Sequence, residues 1–414
     1  LVNVFLSRYL QAAGTGILYF TTVIFSFMQV ALSLGGESGI IYFASGNLIE
    51  RNKLVTVAIT WSFVAGCIMV GAIYLFFLFN KSPLEFSYTW YCAFGFLYVC
   101  GQILTNLSVA VYYTRENYFL PNFLLSVINI IYVFIIPGKS ANKSVEQIEW
   151  ITLFYFATFL AGGLTVFISY IIQYKNESAF GFPDKIQFKK FFRYSATALG
   201  ASVFFFMVYK IDYFFVNYSS ASTAADLGNY IQVSKLGQLM LLVPQIIASV
   251  VFPKTASGDV DRMKINNAII VMARLFSQFY LVVFIVVALM GNWLFTTIFG
   301  ESFNKMQLPM LLIIPGIFAL SVSALLSAYF SGKGKIKLNL YSAFIAMVIM
   351  LAGDYFFVLP YGIIAAAIVS TLSYLIDLAY LLFHFYKDYS ISWTEFIKWK
   401  KNDYKVLFTL LKKQ

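Results

Sequence analysis

Residues 204–218 read FFFMVYKIDYFFVNY. The stretch is apolar and aromatic almost throughout, yet Lys210 and Asp212 stand in its middle. On a helix, positions two apart lie on different faces, so the two side chains do not form a self-contained ion pair. Each charge needs a partner, or water, supplied from elsewhere. What surrounds the stretch therefore decides both the fold and the use of the charges.

The surroundings are equally apolar. The 414-residue chain is 60% hydrophobic, 19% aromatic and only 11% charged, with mean hydropathy +0.79. A soluble domain carries about a quarter charged residues, so the composition specifies an all-α integral membrane protein. At roughly 20 residues per span, the length accommodates about a dozen helices and leaves no long polar stretch for a separate soluble domain. The three cysteines, Cys67, Cys92 and Cys100, fall in apolar runs whose spacing fits neither a metal site nor a disulfide framework. A single histidine, His384, argues against imidazole-based metal or acid–base chemistry. No metal or organic cofactor is expected. The net charge of +11 is assigned to loops beside anionic lipid rather than to nucleic acid.

Apolar runs predict spans at 14–35, 53–79, 87–112, 119–137, 149–173, 191–217, 227–252, 267–299, 307–330, 338–358 and 362–386, and residues 1–9 resemble the end of one more. One set of alternate connections holds Arg51, Lys53, Arg115, Lys175, Lys185, Lys189, Lys190, Arg193, Lys254, Arg262, Lys264, Lys333, Lys335, Lys337 and the cations of the C-terminal tail. The opposite set holds only Lys81, Lys139, Lys143 and Lys305. This asymmetry places the basic set, and with it both termini, in the cytoplasm.

The sequence also repeats. Shifted by 212, Ala12, Ala13 and Gly16 fall on Ala224, Ala225 and Gly228; Met28 falls on Met240; Ala44, Ser45 and Gly46 fall on Ala256, Ser257 and Gly258. Later, VYYTREN resembles AYFSGKGK at a slightly larger offset. These matches predict two six-helix halves of the same orientation, a parallel repeat of the kind found among secondary transporters. The corresponding domains are an N-terminal bundle at 1–174, a cytoplasmic linker at 175–190, a C-terminal bundle at 191–386 and a basic tail at 387–414. The repeat further predicts that most of a first helix precedes residue 1. No basic segment leading into a cleavage site marks the start as a signal peptide. The tail WTEFIKWKKNDYKVLFTLLKKQ is expected to form an amphipathic helix on the inner membrane surface.

Several stretches carry a resemblance. RYLQAAGTGILY, YKIDYFFVNY, DLGNYIQVSKLGQLMLLVPQIIASVVFPKTA, IFGESFNKMQLPMLLIIPGIFALSVSALLSAYFSGKGK, LPYGIIAAAIVSTLSY and WKKNDYKVLF are similar to the corresponding stretches of Wzx-type oligosaccharide flippases. These form the polysaccharide transporter family of the MATE-like flippase superfamily. The resemblance extends over essentially the whole chain and is stronger in its second half. It rests on packing and loop patterns, which identify a family far better than a substrate. It implies two six-helix bundles around a central cavity with alternating access. It also implies transfer of an undecaprenyl-pyrophosphate-linked oligosaccharide from the inner to the outer leaflet of the bacterial plasma membrane, alongside a polysaccharide polymerase and chain-length machinery.

Charged residues within spans mark functional sites by default, because burying them in lipid is costly. An anionic pyrophosphate crossing hydrocarbon calls for cations along its path, and Lys210, Lys235 and Arg8 are the candidates. Asp212 is expected to orient Lys235 or Arg8, with a fixed inter-helix ion pair as its other role. Arg8 has snorkelling as the alternative. Asp377, Asp354 and Glu37 are candidates for charge pairing or for a coupling proton or sodium ion; Glu37 and Asp354 could equally cap helix ends. Gln29, Gln102, Asn106, Asn129 and Gln238 could bind sugar hydroxyls or join helices by hydrogen bonds. Pro244 and Pro315 are candidate hinges. An exporter of drugs or cations within the same superfamily is the nearest alternative, disfavoured by the lysines. A membrane-embedded polymerase is disfavoured by the short connection at 138–148.

Overall fold

The computed structural model describes residues 2–45, 48–79, 86–136, 145–176, 179–256, 262–389 and residue 400. Among them every regular element is a helix and no strand occurs. In chain order the α-helices are α1 (Val2–Ser33), α2 (Gly36–Ser45), α3 (Arg51–Phe79), α4 (Tyr88–Tyr113), α5 (Phe119–Ile135), α6 (Val145–Tyr174), α7 (Lys185–Tyr218), α8 (Ala224–Met240), α9 (Leu242–Ala256), α10 (Arg262–Phe299), α11 (Gln307–Gly332), α12 (Ile336–Gly353) and α13 (Leu359–Tyr389). A single π-helical turn, Asp354–Val358, joins the last two. Among the described residues eight segments are long and apolar enough to cross a membrane, and the 17-residue α5 is a shorter apolar helix. Large side chains such as Phe79, Phe134 and Leu289 are left exposed on the outside of the helices. In water that would be a liability; in lipid it is the favoured surface.

The chain forms two compact units, Leu1–Phe206 and Met207–Gln414, with the division inside α7. In the first, α4 is the central helix and packs chiefly against α3 and α6. Its contact with α6 is close enough that a Cβ on Gly101 would lie 2.3 Å from the Leu160 backbone nitrogen. Aromatic rings fill one end of this interface: Phe94 stacks on Phe156 at 5.1 Å, and Phe25 lies 5.5 Å from Phe156. In the second unit α11 takes the central place, against α13, α9 and α10.

The sequence repeat returns as repeated geometry. α1 bends at Gln11, whose φ of 60° and ψ of −178° separate a short leading helix from the stretch beginning at Ala12. The residue 212 positions on is Thr223, the N-cap of α8. There Thr223 and Asp226 form a reciprocal capping box, which satisfies two backbone donors at once. Further along, Tyr112 of α4 meets Tyr170 of α6 edge to face at 5.4 Å, and Tyr329 of α11 meets Phe385 of α13 at 5.3 Å. A basic residue then covers the ring cluster in each unit. Arg115 lies 3.9 Å from the Tyr174 ring centroid, and Lys333 lies 4.6 Å from that of Tyr329.

The helices refine several of the sequence boundaries. The span at 227–252 is two helices, broken at Leu241. Pro244 has no N–H to offer the Met240 carbonyl, which instead accepts from the Tyr280 hydroxyl at 3.4 Å. Pro315, in contrast, leaves α11 continuous from Gln307 to Gly332. Glu37 lies in the first turn of α2, a helix end of the kind it could cap. The preceding break is made by Leu34 and Gly35, both at positive φ, with Gly35 pressed against the Ser195 carbonyl. Finally, α7 begins at Lys185, inside the stretch assigned to the linker. The amphipathic tail, at 390–399 and 401–414, lies outside the described residues.

Candidate functional site

The VYKID stretch resolves into two sets of contacts in the second unit. Lys210 turns toward α8, where its ammonium lies 3.4 Å from Gln238 Oε1, and it sits 5.0 Å from the centroid of the Tyr213 ring. Lys235, one turn before Gln238 on α8, lies within electrostatic reach of Lys210. Two of the three cations proposed from the sequence are therefore neighbours. Both are only partly buried. Two neighbouring ammonium groups can both donate charge-assisted hydrogen bonds to one anion. Arg8, the third candidate, is exposed on α1 in the other unit.

Asp212 points the other way. It is 2% exposed. Its Oδ2 accepts from the Tyr230 hydroxyl at 2.5 Å and from Ser370 Oγ at 3.5 Å, and its Oδ1 accepts from the Tyr213 N–H at 3.0 Å. Asp212 thus sits in a hydroxyl cluster built from α7, α8 and α13, and it also lies within electrostatic reach of Lys210. Asp354 opens the π-helical turn and is fully buried. Neither of its carboxylate oxygens has a hydrogen-bond partner among the described residues. It lies within electrostatic reach of Asp212. A π-helical turn widens the helix by one residue, a device frequent at functional sites. Asp377 is near the same region, beside Ser323, Ser342 and Tyr209.

The first unit gathers the polar uncharged candidates. Gln29, Asn106 and Glu37 line a cavity of about 120 Å³. Asn106 and Glu37 also line an adjoining one of about 340 Å³, together with Gln102, Asn122, Asn129 and Thr158. Asn129 and Thr158 in turn border a third of about 420 Å³, reached also by Asn3 and Ser126. Gln102 donates to Asn106 at 3.2 Å, so these two also join successive turns of α4.

Sequence reasoning named Asn129 but missed several of these residues. Asn122 and Ser126 precede Asn129 at a four-then-three spacing on the otherwise apolar α5, a readable polar stripe. Tyr230 and Ser370 carried no signal, being ordinary residues brought to Asp212 by the fold. Arg274, 3% exposed within α10, was legible as a charge inside a span but was passed over. At one end of the second unit, Lys305 and Asp226 form an ion pair at 2.7 Å beside a cavity of about 540 Å³.

A family model described as "Polysaccharide biosynthesis protein" matches residues 5–308. The chain belongs to this polysaccharide biosynthesis family. No curated protein sequence matches it. Among solved structures, this family member resembles lipid II flippase MurJ in an inward closed conformation. The TM-score is 0.71 at 16% identity, over 100% of this chain and 90% of that one. It also resembles an inward-facing MATE-family multidrug resistance transporter of the MOP superfamily, with a TM-score of 0.64 at 14% identity over 94% of both chains. A third likeness is to a MOP superfamily transporter from Pyrococcus furiosus with a binding pocket of reverse polarity. There the TM-score is 0.58 at 13% identity, over 91% of this chain and 87% of that one. The fold of the polysaccharide biosynthesis protein is thus that of the MATE-like MOP transporters. These neighbours are transporters and flippases, not enzymes.

Proposed function

We propose that the protein flips an undecaprenyl-pyrophosphate-linked oligosaccharide from the cytoplasmic to the outer leaflet of the bacterial plasma membrane by alternating access. One observation carries the proposal: Lys210 and Lys235 are neighbours on membrane helices of a polysaccharide biosynthesis family member with a flippase fold. A pyrophosphate offers acceptors for both ammonium groups, and charge-assisted hydrogen bonds are about twice as strong as neutral ones. Arg8 is assigned a supporting role toward the anionic substrate. Both termini are assigned to the cytoplasm. A polymerase and chain-length machinery would receive the product.

Coupling is assigned to the carboxylates. A buried ionised group without partners is costly, so Asp354 is expected to carry a proton or to share a small cation with Asp212, with Ser370 and Tyr230 completing the polar shell. Asp377 and Glu37 are the further candidates for this role.

Drug export is the second reading, since one structural neighbour is a multidrug resistance transporter. A cationic drug would be repelled by the lysine pair, so this reading takes second place. A membrane-embedded polymerase is weaker still, as the solved neighbours are transporters.

The test is the sidedness of lipid-linked oligosaccharide in a strain lacking the gene. Complete units trapped on the cytoplasmic leaflet support flipping. Complete units on the outer leaflet reject it. Complementation with Lys210→Ala or Lys235→Ala is expected to restore flipping roughly 10- to 100-fold less well than wild type, as loss of a charged hydrogen bond implies. Lys210→Arg should retain part of the activity.

A further inference from the structure

The three adjoining cavities of the first unit have one chemical character. Their polar lining consists of amides, hydroxyls and the single carboxylate of Glu37, with no lysine, arginine or histidine among the lining residues. Aromatic faces stand among the polar groups: Tyr155 and Phe159 border the largest of the three, and Phe159 also borders the middle one. The α5 amides are oriented by their own helix. Asn122 Nδ2 donates to the Tyr118 carbonyl at 2.7 Å and to Tyr113 Oη at 3.0 Å, and Asn129 Nδ2 donates to the Leu125 carbonyl at 2.8 Å. No donor among the described residues reaches either amide oxygen. These oxygens are acceptors held in place beside a cavity, suited to hydroxyl donors.

We infer that this amide-lined groove holds the glycan of the substrate, and that it selects sugars without negative charge. The inference rests on the flippase reading and adds a sugar class to it. Within the first unit, the groove is the surface offered to the sugars. Amide oxygens accept from sugar hydroxyls, amide nitrogens and tyrosine hydroxyls return hydrogen bonds, and aromatic rings cover the apolar faces of pyranose rings. A uronic or sialic acid would meet Glu37 with no lysine, arginine or histidine among the lining residues to compensate, and like charges in such a site are disfavoured.

The experiment uses the full-length protein in nanodiscs and three probes. These are undecaprenyl pyrophosphate, the same lipid bearing a neutral N-acetylhexosamine-containing tetrasaccharide, and the same lipid bearing a matched tetrasaccharide with one uronic acid. The Asn106→Leu/Asn129→Leu double variant is expected to bind the neutral glycolipid roughly tenfold more weakly, as loss of two neutral hydrogen bonds implies. Its affinity for undecaprenyl pyrophosphate should be unchanged, which also establishes that it is folded. Lys210→Ala should weaken binding of all three probes alike. Wild type should bind the neutral glycolipid more tightly than the acidic one. Equal binding of the neutral glycolipid by wild type and the double variant, or an equal loss for every probe, overturns the groove while leaving the flippase reading intact. A wild-type preference for the acidic glycolipid overturns the assigned sugar class. Failure of wild type to bind any of the three probes is a failure of the flippase reading itself.

Discussion

At the scale of single residues, the two charges of VYKID are separated by direction. Lys210 reaches the amide of Gln238, whereas Asp212 is enclosed by hydroxyls. The bond from Tyr230 is the shortest contact to that carboxylate. Tyr230→Phe removes one donor from a buried carboxylate, a change that costs about 1–3 kcal/mol. A lower melting temperature of the detergent-solubilised protein is expected, and an unchanged melt would show that Asp212 does not depend on this hydroxyl. Asp354 behaves in the opposite sense. Its oxygens have no partner among the described residues, so Asp354→Asn removes the group that could carry charge without removing a hydrogen bond. The variant should melt no lower than wild type. Its transport, measured in vesicles under imposed proton or sodium gradients, should lose dependence on the coupling gradient. Transport that still follows that gradient would exclude Asp354 from coupling.

At the scale of elements, the closest approach in the first unit is between α4 and α6. A Cβ at Gly101 would lie 2.3 Å from the Leu160 nitrogen and 2.4 Å from the Phe159 carbonyl carbon. Both are backbone atoms, so no side-chain rotation relieves the clash. Gly101→Ala should therefore separate the helices and destabilise the protein by about 1–3 kcal/mol, the usual range for overpacking. Gly71 of α3 is the matched control, since a Cβ there would meet nothing within 4 Å. Gly71→Ala should be neutral or stabilising by about 1 kcal/mol, from helix propensity alone. Thermal melts of both variants check the contrast. The helices also show where sequence pattern stops being informative. The run at 227–252 is uniformly apolar enough to pass for one span, and Pro244 marked a hinge without fixing the break at Leu241. A proline is tolerated in the first turn of a helix and, with a kink, further inside one. The sequence alone cannot choose between these placements. Tyr280, which bonds the carbonyl left open by Pro244, lies on another helix.

At the scale of the whole molecule, the charge asymmetry of the connections predicts an orientation that labelling can test. The three native cysteines would first be replaced. In intact cells, a membrane-impermeant thiol reagent should then modify Ser220→Cys, in the connection between α7 and α8, and leave Lys335→Cys, at the N-cap of α12, unmodified until the membrane is opened. The reverse pattern would invert the topology.

Composition alone determined that the chain is helical and lies in the membrane, because 60% hydrophobic residues and 11% charged ones leave a water-exposed surface unattainable. The repeat was also legible, since Gln11 and Thr223, related by the shift of 212, both mark helix starts. Lys210, Lys235, Asp212 and Asp354 stood out as charges in apolar runs. Their grouping did not. That Lys235 answers Lys210, that Tyr230 and Ser370 close around Asp212, and that three cavities join Gln29 to Asn129 were decided only by the tertiary structure. The physical reason is that a helix in lipid satisfies its own backbone within the segment. Its sequence therefore records membrane depth and length, while the identity of the facing side chain depends on a neighbouring helix far away along the chain.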